Sequence, residues 1–211
     1  MNNQELILEL KHQGITDKKV LEAMEKVPRH LFISQEFQKE AYANYPLPVG
    51  EEQTISQPYT TAFMLQALEL KENLKVLEIG AASGWSACLI AEIVKPKKVY
   101  TLEIIPKLAE LAKSNIKKLN IKNIEVICAD GSKGYKKEAP HDRIVITAAC
   151  PRIPQVIIKQ LKNNGILVAP VGSMLQQSMI KIKKIKNKIA EENLGEFIFV
   201  PLKGKYGYRD N

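Results

Sequence analysis

Apolar residues along this chain change their period once, near residue 70. Before that point Leu6 and Leu10, then Val20, Leu21, Met24 and Val27, recur at helical spacing. Thr16-Asp17 offers an N-cap for the second of these helices. A Pro-rich loop over 44–49 and the stretch QTISQP (53–58) interrupt the pattern, and an apolar helix is predicted over 59–70. From residue 75 onward, short β-branched runs alternate with helix-like ones. Strands are predicted at 75–79, 99–102, 124–129, 143–147 and 166–171, and helices at 85–94, 108–119 and 154–161. Such alternation implies βαβ crossovers and a parallel sheet. Two final runs, 178–189 and 196–202, have no helix between them and are expected to add antiparallel strands. The predicted fold is therefore α/β: a Rossmann-like, doubly wound, mostly parallel sheet with antiparallel C-terminal strands and an N-terminal helical segment. With 211 residues, one domain is expected over 1–211, its helical and loop-rich part at 1–70 and its core at 71–211.

Candidate chemistry enters at the first strand of that core. The string KVLEIGAASG (75–84) is a strand that ends in an acid and runs into a small-residue loop ahead of an apolar helix. This unit brings bare backbone to where a nucleoside-like cofactor can approach. A second acid, Glu103, ends the next strand 23 residues after Gly80, where a carboxylate faces a cofactor ribose. A dinucleotide loop wants a third glycine, but the series here runs Gly80, Ala82, Trp85. No Gly-Lys-Ser/Thr follows, which argues against a phosphate loop. Taken alone, the loop is equally a tight turn of any α/β protein. Glu103 and the pair Asp130-Gly131 after the third strand tip the reading toward a cofactor, since ligands gather at strand carboxyl ends.

Composition narrows the classes. A net charge of +8 invites a nucleic-acid partner. Yet the lysines are spread along helices (Lys113, Lys117, Lys118, Lys122) and along the run 181–188, where they read as solvated faces. Ile180 and Ile182 alternate with lysines there, the pattern of a half-exposed strand guarding a sheet edge. No specific nucleic-acid partner, no membrane span and no signal peptide are expected, which gives a cytoplasmic location. Cys88, Cys128 and Cys150 lie in apolar stretches and are expected to be buried free thiols. The three histidines show no metal spacing, so no metal is expected.

Ser56 supports two readings. A serine before Pro58, ahead of an apolar helix, has the chemistry of a helix cap, and that chemistry favours the cap. The alternative comes from likeness. The strings VPRHLFI (27–33), AYANYPLPVG (41–50), QTISQPYTTAFM (53–64), KVLEIGAASGW (75–85), EVICADGSKGY (125–135), APHDRIVITAACPRIP (139–154), LVAPVG (167–172) and FVPLKGKYGY (199–208) resemble the protein-L-isoaspartate O-methyltransferase family. The likeness runs from about Val20 to Tyr208 in the family's order. TISQP and VPRHLF are specific to the family, whereas the glycine loop is shared by many class I S-adenosylmethionine methyltransferases.

The resemblance implies methylation of the free carboxylate of L-isoaspartyl residues in damaged proteins, with S-adenosyl-L-methionine as cofactor and repair through a succinimide. It puts the active-site hydroxyl on Ser56, substrate contacts on Thr54 and Ile55, and cofactor contacts on Glu78, Gly80, Gly84, Glu103, Asp130 and Gly131. A monomer is expected. Three positions depart from the family pattern: Ala82 and Glu52 stand where glycine is usual, and Tyr208 where tryptophan is common. Ala82 is expected to be tolerated without a positive φ. Glu52 is expected to bring negative charge near the substrate, and loss of Glu103 to weaken the cofactor while sparing the apo protein's stability. The alternatives are a catalytically degenerate cofactor-binding homologue and a nucleic-acid methyltransferase. The latter commonly carries Asn/Asp-Pro-Pro-aromatic where this chain has TAACP (147–151).

Overall fold

The structure is a computed structural model and describes residues 1–186 and 188–208. Its centre is a seven-stranded sheet. Strands β3 (Val76–Ile79), β4 (Val99–Glu103), β5 (Ile124–Cys128), β6 (His141–Ile146) and β7 (Leu161–Gly172) run parallel, followed by antiparallel β8 (Gln177–Ile185) and β9 (Lys188–Phe197). The spatial order is β5-β4-β3-β6-β7-β8-β9. The chain winds outward from β3 in both directions, so the crevice beyond the carboxyl end of β3 is the topological switch point where such sheets bind ligands.

The strand sequences explain the layering. Strand β3 is buried throughout, and its side chains divide between two cores by alternation. Leu77 and Ile79 join Ile144, Ile146 and Leu167 on one face. Val76 joins Val145, Leu89 and Ile90 on the other, and Leu6, Leu10, Val20 and Met24 of the N-terminal helices share that core. Full burial of one such aliphatic side chain is worth about 1.5–3 kcal/mol, so the N-terminal segment is held firmly on the sheet. That segment comprises α1 (Asn3–His12), α2 (Lys18–Lys26), two 3₁₀ turns, the hairpin β1–β2 (Leu47–Gly50 and Gln53–Ile55) and α3 (Pro58–Ala67). Asp17 caps α2 as its sequence suggests. Helices α4 (Trp85–Val94) and α5 (Pro106–Lys118) follow β3 and β4.

Four expectations need correction. The helix predicted over 154–161 is only α6 (Gln155–Ile158), because β7 starts at Leu161, earlier than its apolar run suggests. The run 178–189 is cut into two antiparallel strands, and β9 begins at Lys188 rather than 196. Strand β9 is largely exposed, so no buried alternation marks it. The lysine-bearing strand β8 is consequently interior, and β9 is the edge. Cys88 and Cys150 are buried, but Cys128, at the end of the outer strand β5, is exposed.

Candidate active site

The chain leaves β3 at Gly80 with φ +103°. Thr147, just past β6, crowds this exit: its hydroxyl donates to the carbonyls of Ile79 (3.0 Å) and Gly80 (2.8 Å). A Cβ on residue 80 would collide with the same hydroxyl, so glycine is required for both space and conformation. Gly84, at φ +87°, turns the chain into α4 as its N-cap. Between them Ala82 has φ +46°. The expectation that residue 82 needs no left-handed backbone is therefore overturned. Its N–H donates to Glu103 Oε2 at 2.9 Å, which fixes this conformation from the neighbouring strand.

Glu103 also accepts the Ile105 N–H at 3.0 Å through its other oxygen. Each carboxylate oxygen thus carries one backbone bond and retains acceptor capacity toward the cavity it lines. Glu78, one strand over, is fully buried and accepts the Thr101 hydroxyl at 2.5 Å and the Ser86 hydroxyl. Burial pushes its pKa up to about 7, against those two bonds and with help from the Glu103 charge.

These groups surround a cleft that opens to solvent. Its walls include Thr54, Ile55 and Ser56 from the hairpin and the turn after it, Met64 and Leu65 of α3, the loop 80–83, Glu103 to Ile105, Thr147 and Ala148 after β6, and Val200 to Lys203. Gly131 lines it as well. Asp130 does not. Its carboxylate accepts the Ser132 N–H and hydroxyl (3.0 and 2.6 Å) and the Lys205 N–H (3.1 Å), and Lys133 lies at 3.2 Å. Burial opposes ionisation there, but the bonds from Ser132, Lys205 and Lys133 outweigh it and hold the carboxyl below its usual range.

The cap reading of Ser56 fails. Gln57 is the N-cap of α3 and Pro58 opens the helix, with no side-chain cap from either neighbour. The free Tyr59 N–H instead donates to Asn44 Oδ1 at 2.9 Å, from the Pro-rich loop. Gln57 Nε2 donates back to the Asn44 carbonyl at 2.8 Å. Ser56 is thereby left half-buried at the cavity wall, its hydroxyl bonded to nothing among the described residues.

Of the two departures at glycine positions, Glu52 also has a positive φ (+58°), at the exposed tip of the β1–β2 hairpin and outside the cavity. It brings no charge to the cavity wall. Its neighbour Glu51 reaches Lys107 at 2.8 Å. Tyr208 donates its hydroxyl to the Gly172 carbonyl at 2.7 Å and ties the tail to β7. Trp85, at the third glycine place, is buried and lines the cavity, its indole N–H on the Val27 carbonyl at 3.4 Å.

The wall from Val200 to Lys203 and the Asn44 cap were not anticipated as parts of the site. Residues 196–202 read as a strand, whereas Val200 to Leu202 leave the sheet and pair with Ala149, the Ala149 N–H donating to the Val200 carbonyl and the Leu202 N–H to the Ala149 carbonyl. Asn44 lies before the β1–β2 hairpin, 15 residues from Tyr59, so nothing local in the sequence marks it as the cap.

Comparison with known proteins agrees with this layout. The family described as Protein-L-isoaspartate(D-aspartate) O-methyltransferase (PCMT) matches residues 1–207. The chain belongs to this family. Among its relatives, protein-L-isoaspartate O-methyltransferase 2 of Archaeoglobus fulgidus is 49% identical over 193 residues, covering 91% of this chain and 88% of the relative. The Methanococcoides burtonii protein-L-isoaspartate O-methyltransferase is 45% identical over 204 residues, 96% of this chain and all of the relative. Two solved structures superpose closely at 27% identity. A protein-L-isoaspartate O-methyltransferase does so with a TM-score of 0.89 over 98% of this chain and 67% of its own. A beta-aspartate methyltransferase (PCMT) from Plasmodium falciparum, in complex with S-adenosyl-L-homocysteine, gives 0.84 over 96% and 99%.

Proposed function

We propose that the cleft at the end of β3 holds S-adenosyl-L-methionine and that the chain methylates the free carboxylate of L-isoaspartyl residues in damaged proteins. The observation that carries the reading is the meeting of Ser56 with Glu103 and the glycine loop in one cavity, in a member of the isoaspartyl methyltransferase family. The residues fit this cofactor: Glu103 keeps acceptor capacity for ribose hydroxyls, and the backbone of the loop 80–83 lines the same cavity. Gly84 shapes the loop and Gly131 lines the far side. Glu78 braces the floor through Ser86 and Thr101. Asp130 acts at one remove, by tying down the tail that carries Lys203.

When bound, the cofactor supplies an electrophilic methyl group on a sulfonium. An isoaspartyl carboxylate is already ionised at neutral pH, so no side chain has to remove a proton. The protein's task is alignment of the carboxylate oxygen with the methyl group, where gains from positioning are large. Ser56 donates its free hydroxyl to one carboxylate oxygen and leaves the other to react, with Thr54 and Ile55 beside it. A hydroxyl grips the ground state less than a cation would, which favours turnover because only contacts that tighten in the transition state accelerate it. The methyl ester then closes on its own to a succinimide as the following backbone amide nitrogen displaces methanol, and hydrolysis reopens the ring in part to a normal aspartyl bond.

The reading takes the chain to act as a cytoplasmic monomer on polypeptides rather than on nucleic acid. Paired surface lysines, such as Lys113 with Glu110 and Lys98 with Glu125, support that preference. No helix of the described residues is long and apolar enough to cross a membrane. The test is incubation with methyl-labelled S-adenosylmethionine and matched isoaspartyl and aspartyl peptides. Label on the isoaspartyl peptide alone, released as methanol by mild base, is expected. Equal labelling of both peptides would refute the reading, and cofactor binding without transfer would favour a degenerate homologue.

A further inference from the structure

Arg29 is 1% exposed, and no carboxylate pairs with it among the described residues. Burial lowers its pKa to about 10, so it stays a cation at neutral pH. An arginine buried without a counter-ion is costly, and its bonds show what it holds. Nη1 donates to the carbonyls of Ala41 (2.8 Å) and Ala43 (3.2 Å), and Nη2 to those of Tyr45 (3.1 Å) and Ser56 (3.1 Å). Three of these carbonyls lie in an irregular segment with no ladder to satisfy them, and the fourth belongs to the serine at the cavity wall. The guanidinium also sits over Trp85, 5.3 Å from the ring centre. Trp85 is the first residue of α4, directly after Gly84.

Arg29 therefore touches both halves of the site without entering it. We propose that Arg29 is a positioning residue for methyl transfer: its planar fork holds the Ser56 backbone at a fixed place relative to the glycine loop and α4. This rests on the role of Ser56 given above. The fork matters more than the charge, because a lysine offers a point charge and no rigid geometry to grip several carbonyls at once. The segment around Ala43 in turn carries Asn44, whose side chain caps α3, so one guanidinium orders the loop, the helix start and the serine together.

The test is the cycle of Arg29→Lys with Ser56→Ala. Arg29→Lys should lower kcat on an isoaspartyl peptide about tenfold or more, with S-adenosylhomocysteine affinity within about threefold of wild type. In the Ser56→Ala background the same change should cost less than about threefold, because the geometry it protects is already gone. Equal losses in both backgrounds, or no loss in either, would overturn the proposal. Amide exchange on the wild-type protein needs neither turnover nor a folded variant. Saturating S-adenosylhomocysteine should slow exchange over 41–45, although no residue of that segment lines the cavity. Unchanged exchange there would refute the coupling even if the enzyme is active. An inactive wild type that still shows this protection would sink the functional reading and leave the positioning standing.

Discussion

The Glu103 carboxylate accepts the backbone N–H of Ala82 at 2.9 Å, so the acid that ends β4 also clamps the loop that follows β3. Its second oxygen holds Ile105. Glu103→Ala is expected to weaken S-adenosylhomocysteine about tenfold or more, and to cost about 1–3 kcal/mol of stability by leaving two backbone donors without their acceptor. Calorimetry and urea unfolding report the two effects separately. A variant that loses affinity with unchanged stability would restore the simpler expectation from sequence, in which Glu103 serves only the cofactor.

Ala82 sits in the left-handed region, a conformation that costs a non-glycine residue about 1–2 kcal/mol. Ala82→Gly relieves that cost but frees the unfolded chain, so a net gain of up to about 1 kcal/mol is expected in urea unfolding. Cofactor affinity should move by about tenfold at most. A destabilised glycine variant would show that the methyl group has a packing role.

Asn44, not Ser56, supplies the side-chain acceptor at the start of α3. Ser56→Ala should leave the melting temperature and S-adenosylhomocysteine affinity nearly unchanged while lowering kcat. Asn44→Ala should cost about 1 kcal/mol of stability, the usual worth of a helix cap. Thermal melts of the two variants, side by side with peptide turnover, check both. A Ser56→Ala protein that melts early but turns over normally would return the cap to the serine.

His141 gives the fold a pH dependence of known sign. It is fully buried at the start of β6, its Nε2 is on the Tyr135 carbonyl at 3.2 Å, and its Nδ1 has no partner among the described residues. Burial lowers its pKa from 6.5 to about 4. The folded state therefore favours the neutral ring. Its contribution is complete above pH 6.5 and is lost as the pH falls from there toward 4, in total on the order of 3 kcal/mol. Urea midpoints measured across that window should fall more steeply for wild type than for His141→Leu. Parallel profiles would mean that the ring is not held neutral.

What could be read from the chain follows from where physics is local. Strands β3, β4 and β6 are buried hydrophobic runs, and burial on both faces leaves a plain mark in sequence. Strand β9 left none, since Lys188 to Gly195 are nearly all exposed and its place is set by hydrogen bonds to β8. The glycine loop was legible as a cofactor loop, but its internal strain was not, because φ at Ala82 is dictated by an acid 21 residues away. Arg29 was legible only within a family string. An arginine ordinarily reads as surface, and its burial arises from carbonyls brought in from 41, 43, 45 and 56.

One wall of the cavity is made by Val200 to Lys203, which pair with Ala149 and are moored beyond by Asp130 and Ser132. Thr54 to Ser56 line the same cavity. During synthesis, a chain that has emerged through β7 possesses the glycine loop and Glu103 but an open trough in place of a pocket. A chain clipped before residue 200 would lack the wall from Val200 to Lys203 and keep the glycine loop, the Glu103 side and the hairpin side of the cleft.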